Sequence, residues 1–298
     1  MRSPSIRLRA FAKINAGLKI LGKRRDGYHE IRTIYQAVAL HDELTISVSR
    51  TQGIDLRCSD PRLPASRDNL VYRACELWKK ERNFSGGVRL DLKKIIPSGA
   101  GLGGGSSDAA ATLMGLERLA RRQLDPIGLA ALFRLAATLG SDVAFFLLGG
   151  RALGCGRGEE VYPLTDLPRR PCLIAHPGFE ISTADAYRAA GRLTARVKNR
   201  KNSEFGVWSQ FPFEHWGPAE NDFEQAVFAK WPELGRIKAQ FIRAGAETAS
   251  LTGSGSAIYA IFVSARQLER ALDAIPKAWS VYRTHTLGRA AYRRLLIQ

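Results

Sequence analysis

Between Ile95 and Ala109 the chain reads Ile-Ile-Pro-Ser-Gly-Ala-Gly-Leu-Gly-Gly-Gly-Ser-Ser-Asp-Ala, with glycine at 99, 101, 103, 104 and 105. In front of it, Val88-Arg-Leu-Asp-Leu-Lys93 alternates apolar and polar residues, which predicts a half-buried strand. Behind it, Leu113, Leu116 and Leu119 fall on one face of a helix predicted from Asp108 to Ala120. Glycines between a strand and a helix start let backbone N–H groups approach an anion closely, and the helix adds its positive dipole end. Such a segment is built to cradle phosphate.

Other readings of the segment fit less well. Gly99-Ala-Gly-Leu-Gly-Gly104 satisfies G-x-G-x-x-G, but a dinucleotide fold also wants an acidic residue about 20 positions on, closing a second strand. That distance lands on Leu124-Asp125-Pro126, which reads as the cap and first turn of another helix. No Gly-Lys-Ser/Thr follows the glycines, so this is not a Walker A loop. A flexible Gly/Ser linker seldom joins two elements so clearly patterned.

The 298 residues suffice for a large core in one big domain or two. No apolar run is long enough to span a bilayer, and no membrane association is expected. The basic start, Met1-Arg-Ser-Pro-Ser-Ile-Arg, lacks a following apolar stretch, so no secretory signal is expected; Ile6, Leu8 and Ala10 alternate with arginines as in a first strand. Cys58, Cys75, Cys155 and Cys172 stand far apart without C-x-x-C, which indicates neither zinc nor a disulfide framework and suits a reducing cytoplasm. The formal charge of +17 attracts polyanions. Nucleic acid is one such partner, but the basic residues are dispersed and no nucleic-acid-binding pattern stands out. The local cluster Arg188, Arg192, Arg196, Lys198, Arg200 and Lys201 reads as a solvated helix face running into a loop. Phosphate-bearing nucleotides profit from the same field.

Strand and helix signals alternate through the first half. His41-Asp42 reads as a turn before a strand carrying Leu44, Ile46 and Val48. Asp125-Pro126 opens a helix that Gly140 closes, and Ser141-Asp142 opens another, Val143 to Leu148, stopped by Gly149-Gly150. Gly156-Arg-Gly158 turns between two short strands. From Pro168 a second pattern starts: a strand at Cys172-Leu-Ile-Ala175, a helix carrying Leu234, Ile237 and Phe241, and strands at Ala249 to Leu251 and Ile258 to Val263. A helix from Ser264 and a strand near Ser280 to Thr286 complete it. These patterns predict an α+β chain in two halves, 1–165 and 166–298. Lys198 to Pro218, with Trp208, Phe211, Phe213 and Trp216, reads as a long loop.

Pro97-x3-Gly101-Leu-Gly-Gly-Gly-Ser-Ser-Asp-Ala-Ala110 resembles the phosphate loop of the GHMP small-molecule kinases. Ala12-Lys-Ile-Asn15 with Asp26-Gly-Tyr-His29, Leu139-Gly-Ser-Asp-Val-Ala-Phe145 and Leu251-Thr-Gly-Ser-Gly-Ser-Ala257 are similar, in the same order, to the branch that acts on a cytidine-diphosphate sugar alcohol. The resemblance spans residues 12 to about 262. It implies a ribosomal-S5-domain-2-like N-terminal domain, a ferredoxin-like C-terminal domain and an active site between them. It also implies ATP and magnesium, with transfer to the 2-hydroxyl of 4-diphosphocytidyl-2-C-methyl-D-erythritol; homoserine and mevalonate derivatives are acceptors of other members.

The resemblance also implies roles that the residues alone leave open. Lys13 and Asn15 share a strand face; alone they read as a surface lysine beside a strand-end asparagine, but the family places the lysine at the acceptor hydroxyl with the asparagine supporting it or touching substrate. Asp142 is ordinary at a helix start, where the dipole favours it by about 0.3–1 kcal/mol; in the family it is the catalytic aspartate. Phosphoryl transfer through a loose transition state needs little early deprotonation, so orienting the hydroxyl matters more than basicity. Tyr28 and His29, otherwise hairpin residues, would clamp a cytosine, with Tyr187 on its other side. Pro97, Ser98, Gly99, Ala100, Gly101, Leu102, Gly103, Gly104, Gly105, Ser106 and Ser107 would hold the triphosphate, and Asn69 the adenine side. Lys94, a strand-end lysine, would reach substrate or nucleotide phosphate or remain solvated. The turn Gly253-Ser-Gly255 is expected to pack on the phosphate loop. No magnesium ligand is evident.

Overall fold

The computed structural model describes residues 4–49, 51–120, 126–194, 214–216 and 219–297. Its frame is a long hairpin of β1 (Ser5–Lys23) and β2 (His29–Ser49), paired antiparallel along nearly their whole length. A turn through Asp26 and Gly27 joins them, closed by the Arg24 N–H donating to the Tyr28 carbonyl at 2.7 Å. His41 and Asp42 do not form the expected turn. They lie inside β2, where Phe11 pairs with His41 but Ala12 pairs with Val38, so Ala39 and Leu40 bulge from the ladder. A bulge interrupts the period-two pattern much as a turn does, which is why the two look alike in sequence.

In the first sheet β1 lines one edge of β2, while β4 (Gly87–Lys93) and β5 (Arg151–Cys155) share the other. β3 (Ile54–Cys58) adds in parallel to β4, and β6 (Glu160–Pro163) pairs with β5 across the expected Gly156-Arg-Gly158 turn. The accompanying helices are α1 (Leu70–Glu81), α2 (Gly104–Leu119), α3 (Pro126–Leu139) and α4 (Val143–Leu148). α2 begins four residues before the expected Asp108, drawing Gly104, Gly105, Ser106 and Ser107 into its first turn. The cap expected at Asp125 lies outside the described residues.

The second sheet is antiparallel throughout, in the order β10 (Ser280–His285), β7 (Pro171–His176), β9 (Ile258–Ile261), β8 (Thr248–Leu251). With it go α5 (Thr183–Thr194), α6 (Glu224–Lys230), α7 (Pro232–Arg243) and α8 (Ala265–Leu272). α7 buries Leu234, Ile237 and Phe241, spaced to share one face; each contributes about 1.5–3 kcal/mol. Ser264 caps α8 in a capping box with Gln267.

Two hydrophobic cores meet along the hairpin. Leu8, Phe11, Tyr35 and Leu44 belong to the first, and Leu18, Ile20 and Ile31 to the second. The middle of β1 and β2 therefore crosses the seam, where Ala12, Ile14 and Val38 pack with Leu102, Ile174 and Tyr259. The last helix, α9 (Arg289–Leu296), returns to the first core through Tyr292 and Leu296, and the Tyr292 hydroxyl donates to the Phe146 carbonyl at 2.7 Å. The half expected at 166–298 thus gives its end to the other core. Of the expected aromatic loop, Lys198, Trp208, Phe211 and Phe213 lie outside the described residues, whereas the Trp216 indole donates to the Pro168 carbonyl at 3.3 Å. Of the basic cluster, the side chains from Arg192 to Lys201 lie outside them too, and Arg188 pairs with Asp185. Among the described residues no helix is long and apolar enough to cross a membrane.

Candidate active site

The glycine segment runs from the end of β4 to α2 along this seam. Gly101 has φ +78°, and a Cβ there would stand 2.0 Å from the Thr252 carbonyl oxygen, so only glycine fits. The contact exists because the second glycine turn packs on the loop as expected: Thr252 Oγ1 donates to the Gly101 carbonyl at 3.0 Å, and the Ala257 N–H to the Ala100 carbonyl at 3.2 Å. The N–H groups opening α2 have no partner from a preceding turn, as at any helix start, and are available to an anion.

Lys13 and Asp142 come together beside this loop. The Lys13 N–H donates to the Leu102 carbonyl at 3.0 Å, tying β1 to the glycines. Its Nζ lies 3.3 Å from Asp142 Oδ2 and donates to Asn15 Oδ1 at 2.7 Å, so the two residues do share a strand face. Asn15 is only 2% exposed and fully engaged: its amide donates to Thr33 Oγ1 at 2.8 Å, and its oxygen also accepts the Gly253 N–H at 2.8 Å. It supports Lys13 from beneath and also lines the cleft that Lys13 and Asp142 share. Asp142 precedes α4 without a side-chain cap bond. Its carboxylate turns instead to Lys13 and to the Tyr35 hydroxyl, 2.9 Å away. A capping role therefore does not account for it.

Two clefts meet at the loop and share Gly101, Gly103 and Ser106. The larger, about 780 Å³, holds Lys13 and Asp142 together with Tyr28, His29 and Tyr187. The His29 and Tyr187 rings stack on each other, 4.2 Å apart and 10° from parallel, with Phe223 edge-on to Tyr187 at 4.8 Å. Rings in van der Waals contact leave no slot, so a base would lie against this pair and not between its members. Tyr28 is 53% exposed, and the Arg157 guanidinium lies 4.6 Å from its ring centre. Burial, with Lys23 nearby, lowers the His29 pKa, so its ring is neutral at pH 7 and offers one donor and one acceptor.

The smaller cleft, about 370 Å³, is a groove along Pro97 to Ser106 that includes Asn69 and Lys94. Asn69 caps α1, its side-chain oxygen accepting the Val71 N–H at 3.0 Å. Lys94 is neither solvated nor in the larger cleft. Its ammonium is buried between Asp42 and Asp108, at 2.5 and 2.7 Å. Asp42 also accepts the Ile95 and Ile96 N–H groups, anchoring the start of the glycine segment. Burial, aided by the Asp42 charge, holds the Asp108 carboxyl above the usual carboxylate range against the pull of Lys94. Burial works against the Lys94 charge, yet Asp108 and Asp42 raise its pKa. Lys94→Met would leave two buried acids facing each other without a cation. A loss of about 3–5 kcal/mol is expected in urea unfolding. A lysine serving only a bound phosphate would instead change the KM for ATP at unaltered stability. Asp42, Asp108 and Tyr35 escape sequence reading as site residues. Asp108 stands in the glycine motif itself, but nothing local links it to Asp42.

Residues 69–150 match the GHMP kinases N terminal domain, and residues 213–281 match GHMP kinases C terminal. A 4-diphosphocytidyl-2-C-methyl-D-erythritol kinase of Solibacter usitatus is 42% identical over 97% of this chain and 90% of its own length. The chain belongs to the GHMP kinase family. A kinase of the same description from Moorella thermoacetica is 41% identical over 85% of this chain and 89% of its own length. A crystal structure of 4-(cytidine 5'-diphospho)-2C-methyl-D-erythritol kinase superposes with a TM-score of 0.77 at 34% identity, covering 95% of this chain and 99% of the other. A homoserine kinase from Cytophaga hutchinsonii, at 20% identity and a TM-score of 0.73 over 97% and 96% of the two chains, shares the fold alone. The expected α+β, two-domain GHMP kinase architecture is therefore the one this chain adopts, and ATP-dependent phosphorylation of a small molecule is its chemistry.

Proposed function

We propose that this GHMP kinase transfers the γ-phosphoryl group of ATP to the 2-hydroxyl of 4-diphosphocytidyl-2-C-methyl-D-erythritol, in non-mevalonate isoprenoid synthesis. The observation that carries the reading is that one cleft is lined by Lys13 with Asp142 and by Tyr28 with His29 and Tyr187; the first group would be its chemical end and the second would be the end that holds a base. Homoserine and mevalonate derivatives have no base to use the second end. Stacking tolerates many rings, so the neutral His29 would do the discriminating by hydrogen bonding.

ATP would lie in the groove along Pro97 to Ser106, its phosphates against the N–H groups opening α2 and its adenine toward Asn69, while Ser107, only 1% exposed, would support the loop from within. Lys13, its own charge held by Asn15 and Asp142, would steady negative charge on the acceptor oxygen. Asp142 would orient the 2-hydroxyl and take its proton late in the transfer. Magnesium, when bound, would neutralise the transferring phosphates. Among the described residues no three Asp, Glu, His or Cys side chains gather to hold a metal, but Asp108, whose Oδ1 is buried without a partner, is among the residues lining the groove, as is Ser106. These oxygens fit a cation held mainly by phosphate and water.

The test is ATP turnover with 4-diphosphocytidyl-2-C-methyl-D-erythritol against homoserine and mevalonate phosphate. Turnover with the first alone is expected. Phosphorylation of either competitor alone would overturn the substrate assignment and leave the fold untouched.

A further inference from the structure

Tyr35 stands on β2 opposite Asn15, and its hydroxyl donates to Asp142 Oδ1 at 2.9 Å. Asp142 Oδ2 faces Lys13 at 3.3 Å, so the two carboxylate oxygens have different partners. The Tyr35 side chain is 1% exposed, and its ring packs 4.9 Å from Phe145 of α4, the helix that Asp142 precedes. Burial and the adjacent Asp142 charge hold the hydroxyl well above its ordinary pKa, so it stays protonated and has one hydrogen to give. The other acceptor in reach, the Gly158 carbonyl, is farther away at 3.4 Å.

The turn Gly156-Arg-Gly158 seats this hydroxyl. Gly158 has φ +110°, and a Cβ there would stand 2.4 Å from Tyr35 Oη; a Cβ at Gly154 would stand 2.5 Å from the ring edge. Both glycines leave the space that the tyrosine fills. An ammonium attracts a carboxylate with little angular preference, whereas a buried hydroxyl held by its ring defines a direction.

We propose that Tyr35 is a positioning residue for phosphoryl transfer: it anchors Asp142 Oδ1, leaving Oδ2 aimed at Lys13 and the acceptor hydroxyl, and Gly158 keeps it there. The proposal rests on the reading of Asp142 as the group that meets that hydroxyl. Tyr35→Phe removes one oxygen from a packed ring and keeps the fold. Its kcat is expected to fall roughly ten-fold, the scale of one hydrogen bond to a charged group. Both KM values should stay within about two-fold, because the bond bears on the transition state and not on either ground-state complex. Gly158→Ala retains the hydroxyl but pushes it from Asp142, so kcat falls again. In Tyr35→Phe/Gly158→Ala the two losses should not add, since the atom struck by the new methyl is gone. A hydroxyl that only satisfies a buried group would alter the unfolding midpoint and leave kcat alone. Tyr35→Phe within two-fold of the parent kcat, beside an inactive Asp142→Asn, would overturn the proposal and spare the reading of Asp142. An active Asp142→Asn would overturn both, and additive losses would remove Gly158 from the account.

Discussion

Asp142→Asn is expected to lose about three orders of magnitude in kcat while remaining folded. The amide has the shape of the carboxylate, so α4 keeps its entry: Asp142 makes no side-chain cap bond there. What goes is the charge opposite Lys13 and, in the role proposed for Asp142, the acceptor for a departing proton. Lys13 itself is 3% exposed and keeps Asn15 Oδ1 as a partner, so it is not left bare in the interior. Binding of ATP and of the cytidine substrate should change little, because neither the glycine groove nor the His29–Tyr187 pair involves this carboxylate in a hydrogen bond. Single-turnover kinetics with saturating substrates, beside a thermal unfolding curve, would check the prediction. Near-normal turnover in a folded variant would remove Asp142 from the chemistry.

Gly101→Ala acts at the other end of the phosphate site and should nearly abolish ATP binding. An alanine at φ +78° costs about 1–2 kcal/mol by itself. Its methyl would also lie 2.0 Å from the Thr252 carbonyl oxygen, so the loop must move off the second glycine turn. That movement breaks the Thr252 hydroxyl's bond to Gly101 and displaces the N–H groups proposed to hold a phosphate. We expect the KM for ATP to rise by about a hundred-fold or more, a loss of about 3 kcal/mol. Gly105→Ala is the contrast. Its methyl would meet nothing nearer than Leu70 at 3.6 Å, and in the first turn of α2 it should hold or slightly raise stability. Isothermal titration with ADP, together with urea unfolding of both variants, would separate the two effects. An unchanged ADP affinity in Gly101→Ala would refute the role given to the loop.

Local chemistry made much of this molecule legible. Alternation marked Val88 to Lys93, apolar spacing marked α7, and Ser264 marked the start of α8, because each signal is complete within a few residues. The Gly156-Arg-Gly158 turn was equally plain, although its contact with Tyr35 was not. Reading failed where a signal had two causes. His41-Asp42 looked like a turn; both are paired residues of a 21-residue strand, next to the bulge at Ala39 and Leu40. Lys94 looked like a strand-end lysine, and its burial depends on two acids 52 and 14 positions away. The pairing of His29 with Tyr187 likewise joins a hairpin to a helix of the other lobe.

From residue order alone came a glycine-rich loop between strand and helix, the α+β pattern and, through four motifs in sequence, the kinase family. Those depend on backbone conformation and short spacing, which neighbouring residues dictate. Folding in three dimensions supplied the rest: Lys13 beside Asp142, Tyr35 behind that carboxylate, and Lys94 clasped between Asp42 and Asp108. Hydrogen bonds and ion pairs of this kind act over about 3 Å, and it takes the packing of α2 and α4 with the hairpin of β1 and β2 to bring such distant positions within that reach.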